Sequence, residues 1–304
     1  MEIKELLLES CSIMHNLSLH CTYDFVGHNS SVAPHTSNCN WYHSVWQYLR
    51  VLDCVSAPQW HQDFFVRNIR ACSLRKKSVS ILISGSADYS LLHLVFCAIA
   101  DLGVTAEIDV VDLCYTPLSI CKWYTENVIK NSSNKSTIQV SVYQSNITMF
   151  RADKKYDVIC TDAFLTRFAS STTRSVVETW ERLLAPTGWI ITTVRIHPEE
   201  CIVQPTIAAL SKDIDIFLTK VRDRYSELTE EERKKMKISP EELSFMAFRY
   251  ILHMKSNILG QRTDIERLFT DSGLYIDQSR SQLAAVVGEV KETDYYRVIA
   301  QKEY

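Results

Sequence analysis

Gly85, Asp88 and Asp112 are the residues of this 304-residue chain whose types and spacing most clearly imply a chemistry. Gly85 closes the apolar, β-prone run that begins at Val79, and Asp88 stands at the mouth of the helix-compatible run that follows. Asp112 ends a second apolar run, about one strand–helix–strand half-unit later. A glycine at a strand end lets the backbone approach a ligand that a Cβ would block, and the next helix turns unpaired N–H groups to the same place. An acid at the tip of the neighbouring strand is positioned to accept both hydroxyls of a ribose. The pattern is that of a nucleoside site.

The loop itself separates two classes of nucleoside cofactor. A dinucleotide requires G-x-G-x-x-G so that further glycines admit the pyrophosphate, whereas here Gly85-Ser86-Ala87-Asp88 holds one glycine and a carboxylate. Asp88 would repel a pyrophosphate. It is compatible with S-adenosylmethionine, which carries a cationic sulfur and a cationic ammonium and no phosphate. Asp88 is equally suited to cap a helix beginning at Tyr89, and the two roles are compatible.

The elements that must position these residues follow in a recognisable order. After the 110–112 strand come a helix over 116–129, a short strand over 138–143 ending in Ser145-Asn146-Ile147, and the strand YDVICTDAF (156–164). An amphipathic helix over about 171–184 leads into LLAPTGWIITTVRI (183–196), and two strands, LYIDQSRSQLAAVV and DYYRVIAQ, lie near the C-terminus. This order, with the Gly85 loop, Asp112 and the L-x-P-x-G turn Leu184–Gly188, resembles the class I S-adenosylmethionine-dependent methyltransferases over roughly residues 77–203 and 259–304. The resemblance implies an α/β fold: a Rossmann-like, seven-stranded, mostly parallel sheet with a terminal antiparallel hairpin and helices on both faces.

Carried over residue by residue, the resemblance puts Ser84, Gly85 and Ser86 under the methionine part of the cofactor, and Asp112 on the ribose. Leu113 would pack on the adenine, with Asn146 at its exocyclic amine, Ile147 also lining the cofactor and Asp88 near the cationic end. Asp162, with Thr161 and Ala163, would stand close to the transferring methyl group. The chain departs from the family where Ile83 stands in place of an acid two residues before Gly85, and where Asn146 replaces a frequent aspartate.

Composition bounds the alternatives. A chain of this length with 46% hydrophobic residues buries roughly three quarters of its unfolded surface. With 33 basic and 36 acidic residues, a net charge of −3 and a pI of 6.3, it offers no overall basic face for a nucleic acid; Arg75, Lys76 and Lys77 form the one early basic cluster. Ten cysteines occur without a C-x-x-C pair, so they read as small buried hydrophobes of a reducing compartment, and no metal is expected. Acids interrupt the apolar N-terminal stretch and no apolar run approaches 18 residues. The expectation is a cytoplasmic enzyme with a small-molecule substrate, no nucleic-acid or membrane partner, and a homodimer admitted.

Two stretches fall outside the core pattern. Residues 1–77 are expected to form an N-terminal helical cap, and about 204–258 a helical insertion into the domain 78–304, with the charged run 227–237 as a helix end and turn. Methyl transfer requires an oriented nucleophile and, for some acceptors, a base. The candidates are Asp162, His43, His61 and His197, with Trp41, Tyr42, Trp46 and Arg195 as acceptor-binding residues. Two other functions fit the same sheet. One is an aminopropyltransferase, although the richer glycine loop and second acid of that family are missing; the other is a cofactor-binding interaction protein without transfer.

Overall fold

The computed structural model describes residues 3–21, 39–74, 76–133, 137–196, 207–254, 259–287 and 292–303. Five parallel strands form its centre: β1 (Ser78–Ser84), β2 (Thr105–Asp112), β3 (Ile138–Gln144), β4 (Tyr156–Asp162) and β5 (Leu184–Arg195). α4 (Ser90–Ile99) and α5 (Tyr115–Tyr124) make the crossovers from β1 to β2 to β3, and α6 (Ser170–Leu183) joins β4 to β5. Strands covered on both faces read as near-continuous apolar runs, because successive side chains enter opposite cores. Ile81 and Ile83 of β1 lie in one apolar cluster with Ile108, Val110 and Val158, while Leu82 enters the other with Ile159, Ile190 and Trp180.

The sheet order is β3-β2-β1-β4-β5-β8-β6, where β8 (Glu292–Lys302) runs antiparallel between β5 and β6 (Leu274–Ile276). The expected mixed, seven-position sheet is therefore present, with one difference. The first strand of the terminal hairpin is split into β6 and β7 (Gln282–Val287), both paired to the same edge of β8. Asp277 causes the break: it receives Ser279 N at 3.0 Å on its side chain and Ser281 N at 2.9 Å on its carbonyl, a local turn that withdraws the backbone from the ladder.

Among the described residues, four helical elements precede the sheet: α1 (Ile3–Ser18), α2 (Asn40–Val51), a 3₁₀ turn (Pro58–His61) and α3 (Gln62–Ser73). α1 packs on α2, whereas α3 lies on α4, β4 and β5 as a covering helix of the sheet. Residues of all three helices share one apolar cluster with the strands, so these helices have no separate core. Between β5 and α10 (Arg262–Thr270) lie α7 (Ile207–Glu227), α8 (Glu230–Met236) and α9 (Pro240–His253), with α9 packed on α2 and α7. The charged run expected as a turn contains α8, nucleated by a reciprocal cap between Thr229 and Glu232 and supported by Lys234–Glu230 and Lys235–Glu231 pairs one turn apart.

Candidate active site

The direction of strand order reverses between β1 and β4, and open α/β sheets bind ligands at the carboxyl edge of that switch point. Gly85 leaves β1 there with φ +75°, donating its N–H to Val111 O at 2.8 Å. A Cβ at this position would overlap the Phe164 ring, so the close approach that demands a glycine is that of Phe164. Asp112, partly buried at the tip of β2, is held through both oxygens: Ser86 N donates to Oδ2 at 3.0 Å and Cys114 N to Oδ1 at 2.7 Å. Each oxygen keeps a further lone pair. Burial outweighs the backbone N–H groups of Ser86, Cys114 and Leu113 and pushes the carboxyl up to about 7.

Asp88 is placed differently from the expectation that it faces a cofactor cation. It is buried, and Arg50 of α2 donates to its Oδ2 at 2.6 Å, joined by Trp46 Nε1 at 2.9 Å. Its Oδ1 receives Ser90 N at 2.6 Å and the Ser90 hydroxyl, which satisfies the first turn of α4. Tyr89, not Asp88, is the residue flanking that helix. The Arg50 guanidinium already supplies the positive charge that a ligand was expected to bring.

Asp162 ends β4 and accepts the Thr193 hydroxyl on Oδ1 at 2.6 Å; burial pushes it up to about 6 against that bond and the nearby Arg195. The following Ala163 has φ +48°, with its N–H on Thr193 O (3.1 Å) and Oγ1 (3.0 Å). A left-handed alanine costs on the order of 1 kcal/mol and marks this turn as over-determined by its neighbours. Arg195 directs Nε and Nη2 at the Tyr295 hydroxyl (3.3 and 3.2 Å), which also meets Ser56 Oγ at 2.6 Å.

His61 is buried against the Tyr295 ring, and Arg297 Nε donates to its Nδ1 at 3.0 Å. Since a guanidinium cannot accept, His61 is neutral with its proton on Nε2, and burial with the adjacent Arg297 lowers it to about 3. It offers a donor there and no base. His43 is placed among the thiols of Cys21, Cys39 and Cys114. His197 lies outside the described residues.

Of the other expected contacts, Ser84 is buried and its hydroxyl accepts from Trp180 Nε1 at 2.9 Å, which turns it into the core. Ile147 is likewise buried, beside Phe150 and Trp180. Asn146 uses its side-chain oxygen on Thr148 N and Oγ1, both at 3.0 Å, so the adenine contact would have to displace a local cap. Leu113 stays partly exposed next to Asp112. Three aromatic residues of α2 meet the insertion: Tyr42 stacks on Trp46 at 4.9 Å, Trp41 packs on His253, and Tyr250 of α9 touches the rings of Trp41, Tyr42 and Trp46. Arg167 lies 5.4 Å over the Tyr42 ring.

The residues missed in the sequence are Arg50, Phe164, Thr193, Tyr295 and Arg297. Arg50 alone carried a local signal, since Trp46 and Arg50 are one helical turn apart and so share a face that reaches one acid. The others act across strand pairs that no local spacing encodes.

No protein-family model matches the sequence, and no curated protein matches it. Solved structures do. A possible exported protein of Bordetella parapertussis superposes with a TM-score of 0.50 at 12% identity, covering 97% of this chain and 79% of that one. Magnesium protoporphyrin IX methyltransferase (ChlM) of Synechocystis PCC 6803 with bound SAM gives 0.48 at 9%, covering 100% and 98%. The pyocyanin biosynthetic protein PhzM gives 0.48 at 8%, covering 86% of this chain, which spans 58% of that one. These likenesses are of fold.

Proposed function

We propose that the protein is an S-adenosylmethionine-dependent methyltransferase acting on a small-molecule acceptor. The observation that carries this reading is Asp112, a strand-tip carboxylate fixed by two backbone N–H groups with a lone pair left on each oxygen, beside the Gly85 turn at the switch point of the sheet. A ribose needs two adjacent acceptors of that kind.

In this reading Asp112 accepts the ribose hydroxyls, Leu113 packs on the adenine, and the backbone of Gly85 and Ser86 passes under the methionine part. S-adenosylmethionine supplies a methyl group on a cationic sulfur, already activated for in-line displacement. What the chain adds is positioning. Asp162, held at Oδ1 by Thr193, keeps Oδ2 for an acceptor proton, and its raised pKa suits a base working near neutrality. Arg195, braced by Tyr295, can hold an anionic acceptor group, and the acceptor lies where Tyr42 of α2 meets α9.

Calorimetry with S-adenosylhomocysteine tests the binding half, and transfer from methyl-labelled S-adenosylmethionine into a metabolite pool tests the reaction. Binding without transfer supports the interaction-protein alternative; no binding by folded protein rejects the cofactor assignment.

A further inference from the structure

Three thiols and an imidazole converge at one buried point. Cys21 follows the end of α1, Cys39 and His43 begin α2, and Cys114 lies two residues beyond Asp112. One liganding atom from each of the four lies within 4.8 Å of all the others, and all four residues are buried. Cys114 Sγ is 3.1 Å from Cys39 Sγ and 3.6 Å from Cys21 Sγ. Among the described residues His43 Nδ1 has no hydrogen-bond partner, a costly state for a buried ring nitrogen.

We propose that Cys21, Cys39, His43 and Cys114 bind one zinc ion in four-coordinate geometry, fastening α1 and α2 to the tip of β2. Tetrahedral zinc with bonds of about 2.3 Å to sulfur sets its sulfurs roughly 3.8 Å apart, so the Cys21–Cys114 spacing must widen by roughly 0.2 Å and the Cys39–Cys114 spacing by roughly 0.7 Å, within the reach of a side-chain rotation. Three soft sulfurs and an imidazole select zinc over harder cations. On binding, the thiols release their protons and the site becomes a closed one, with no position left for water or substrate. Thr116 Oγ1, 2.8 Å from Cys21 Sγ, supplies a hydrogen bond to the resulting thiolate. A disulfide would join two of the sulfurs and leave the third thiol and the imidazole without a role.

The consequence reaches the strand edge through one residue. Cys114 donates its backbone N–H to Asp112 at 2.7 Å, so an ion on Cys114 Sγ pins the peptide that orients that carboxylate. The zinc site does not depend on methyl transfer being the reaction.

The test is metal content by inductively coupled plasma mass spectrometry on protein purified under reductant without chelator. About one zinc per chain is expected, falling at least tenfold in Cys39→Ser and Cys114→Ser and unchanged in Cys54→Ser, a buried cysteine outside the cluster. Should the first two variants fail to fold, wild-type protein stripped by chelator and titrated with cobalt(II) is decisive. Thiolate-to-cobalt charge transfer with intense four-coordinate visible bands, displaced by one equivalent of zinc, is expected. Zinc-free reduced protein that takes up neither ion overturns the site, as does an intact mass lacking the two thiol hydrogens of a bridge between these cysteines under reductant.

Discussion

Asp88→Asn removes the negative half of an ion pair in which both side chains are 2% exposed and the atoms are 2.6 Å apart. At a charge separation of about 4 Å and an effective dielectric near 20, the attraction is about 4 kcal/mol. Breaking such a pair from one side costs about 3–5 kcal/mol, because the remaining charge is left buried without its counterion. With an unfolding entropy of about 2.1 cal/mol/K per residue over 304 residues, Tm falls by roughly 5–8 °C. Arg50→Met in the same chain removes the stranded charge, so the double variant recovers most of the loss. Differential scanning calorimetry of both singles and the double, with S-adenosylhomocysteine titrated into each folded variant, reads the effect. An Asp88→Asn protein that melts within about 1 °C of wild type while losing ligand affinity would falsify the reasoning, since the carboxylate would then serve the ligand and not Arg50.

Asp112, raised to about 7, must be ionised to accept two hydroxyls, so S-adenosylhomocysteine affinity rises with pH and levels off above about 7, with a slope near tenfold per unit below it. Asp112→Asn flattens that profile and lowers affinity at least about tenfold at pH 8; a wild-type affinity flat between about pH 5 and 8 refutes the assignment. Gly85→Ala strains a positive φ and strikes the Phe164 ring, for a loss of about 1–3 kcal/mol in urea unfolding. Adding Phe164→Ala relieves the steric share, and a double variant no better than the sum of the singles argues against contact. His61 sits below its free value, so its native state resists protonation: the stability it confers is complete above about 6.5 and is lost as pH falls toward 3. Relative to wild type, His61→Gln should lose about 1.4 kcal/mol per unit of that acid slope, and parallel stability–pH curves for the two proteins would contradict it.

The sheet was legible because its strands are buried on both faces and each crossover is a helix, so apolar runs and periodic runs alternate along the chain. Asp112 was legible for a related reason, since strand-tip residues inherit their place from the strand order. Asp88 was legible as a partner of the first helical turn, but its ion pair was not, because Arg50 lies 38 positions earlier on a separate helix. The split of the terminal hairpin depended on one aspartate turning its own backbone. The cysteine cluster escaped for want of adjacency: Cys39 and His43 are one helical turn apart, but Cys21 and Cys114 reach them through the tertiary fold, and the local pairs that announce metal sites are not there.

β8 is the last described strand of this sequence yet lies inside the sheet, and its side chains close contacts with the segment between α2 and α3. Tyr295 meets Ser56 across 239 positions and Arg297 meets His61 across 236. During synthesis β5 therefore waits with an open ladder while the stretch from Arg195 to Tyr295 is made, about 5–20 s at ordinary elongation rates. An unpaired strand edge is a template for the wrong partner, and until β8 arrives the buried Nδ1 of His61 has no guanidinium. Closure of this protein is thus a long-range and late event, set by the emergence of a strand that neither the insertion nor the glycine turn can replace.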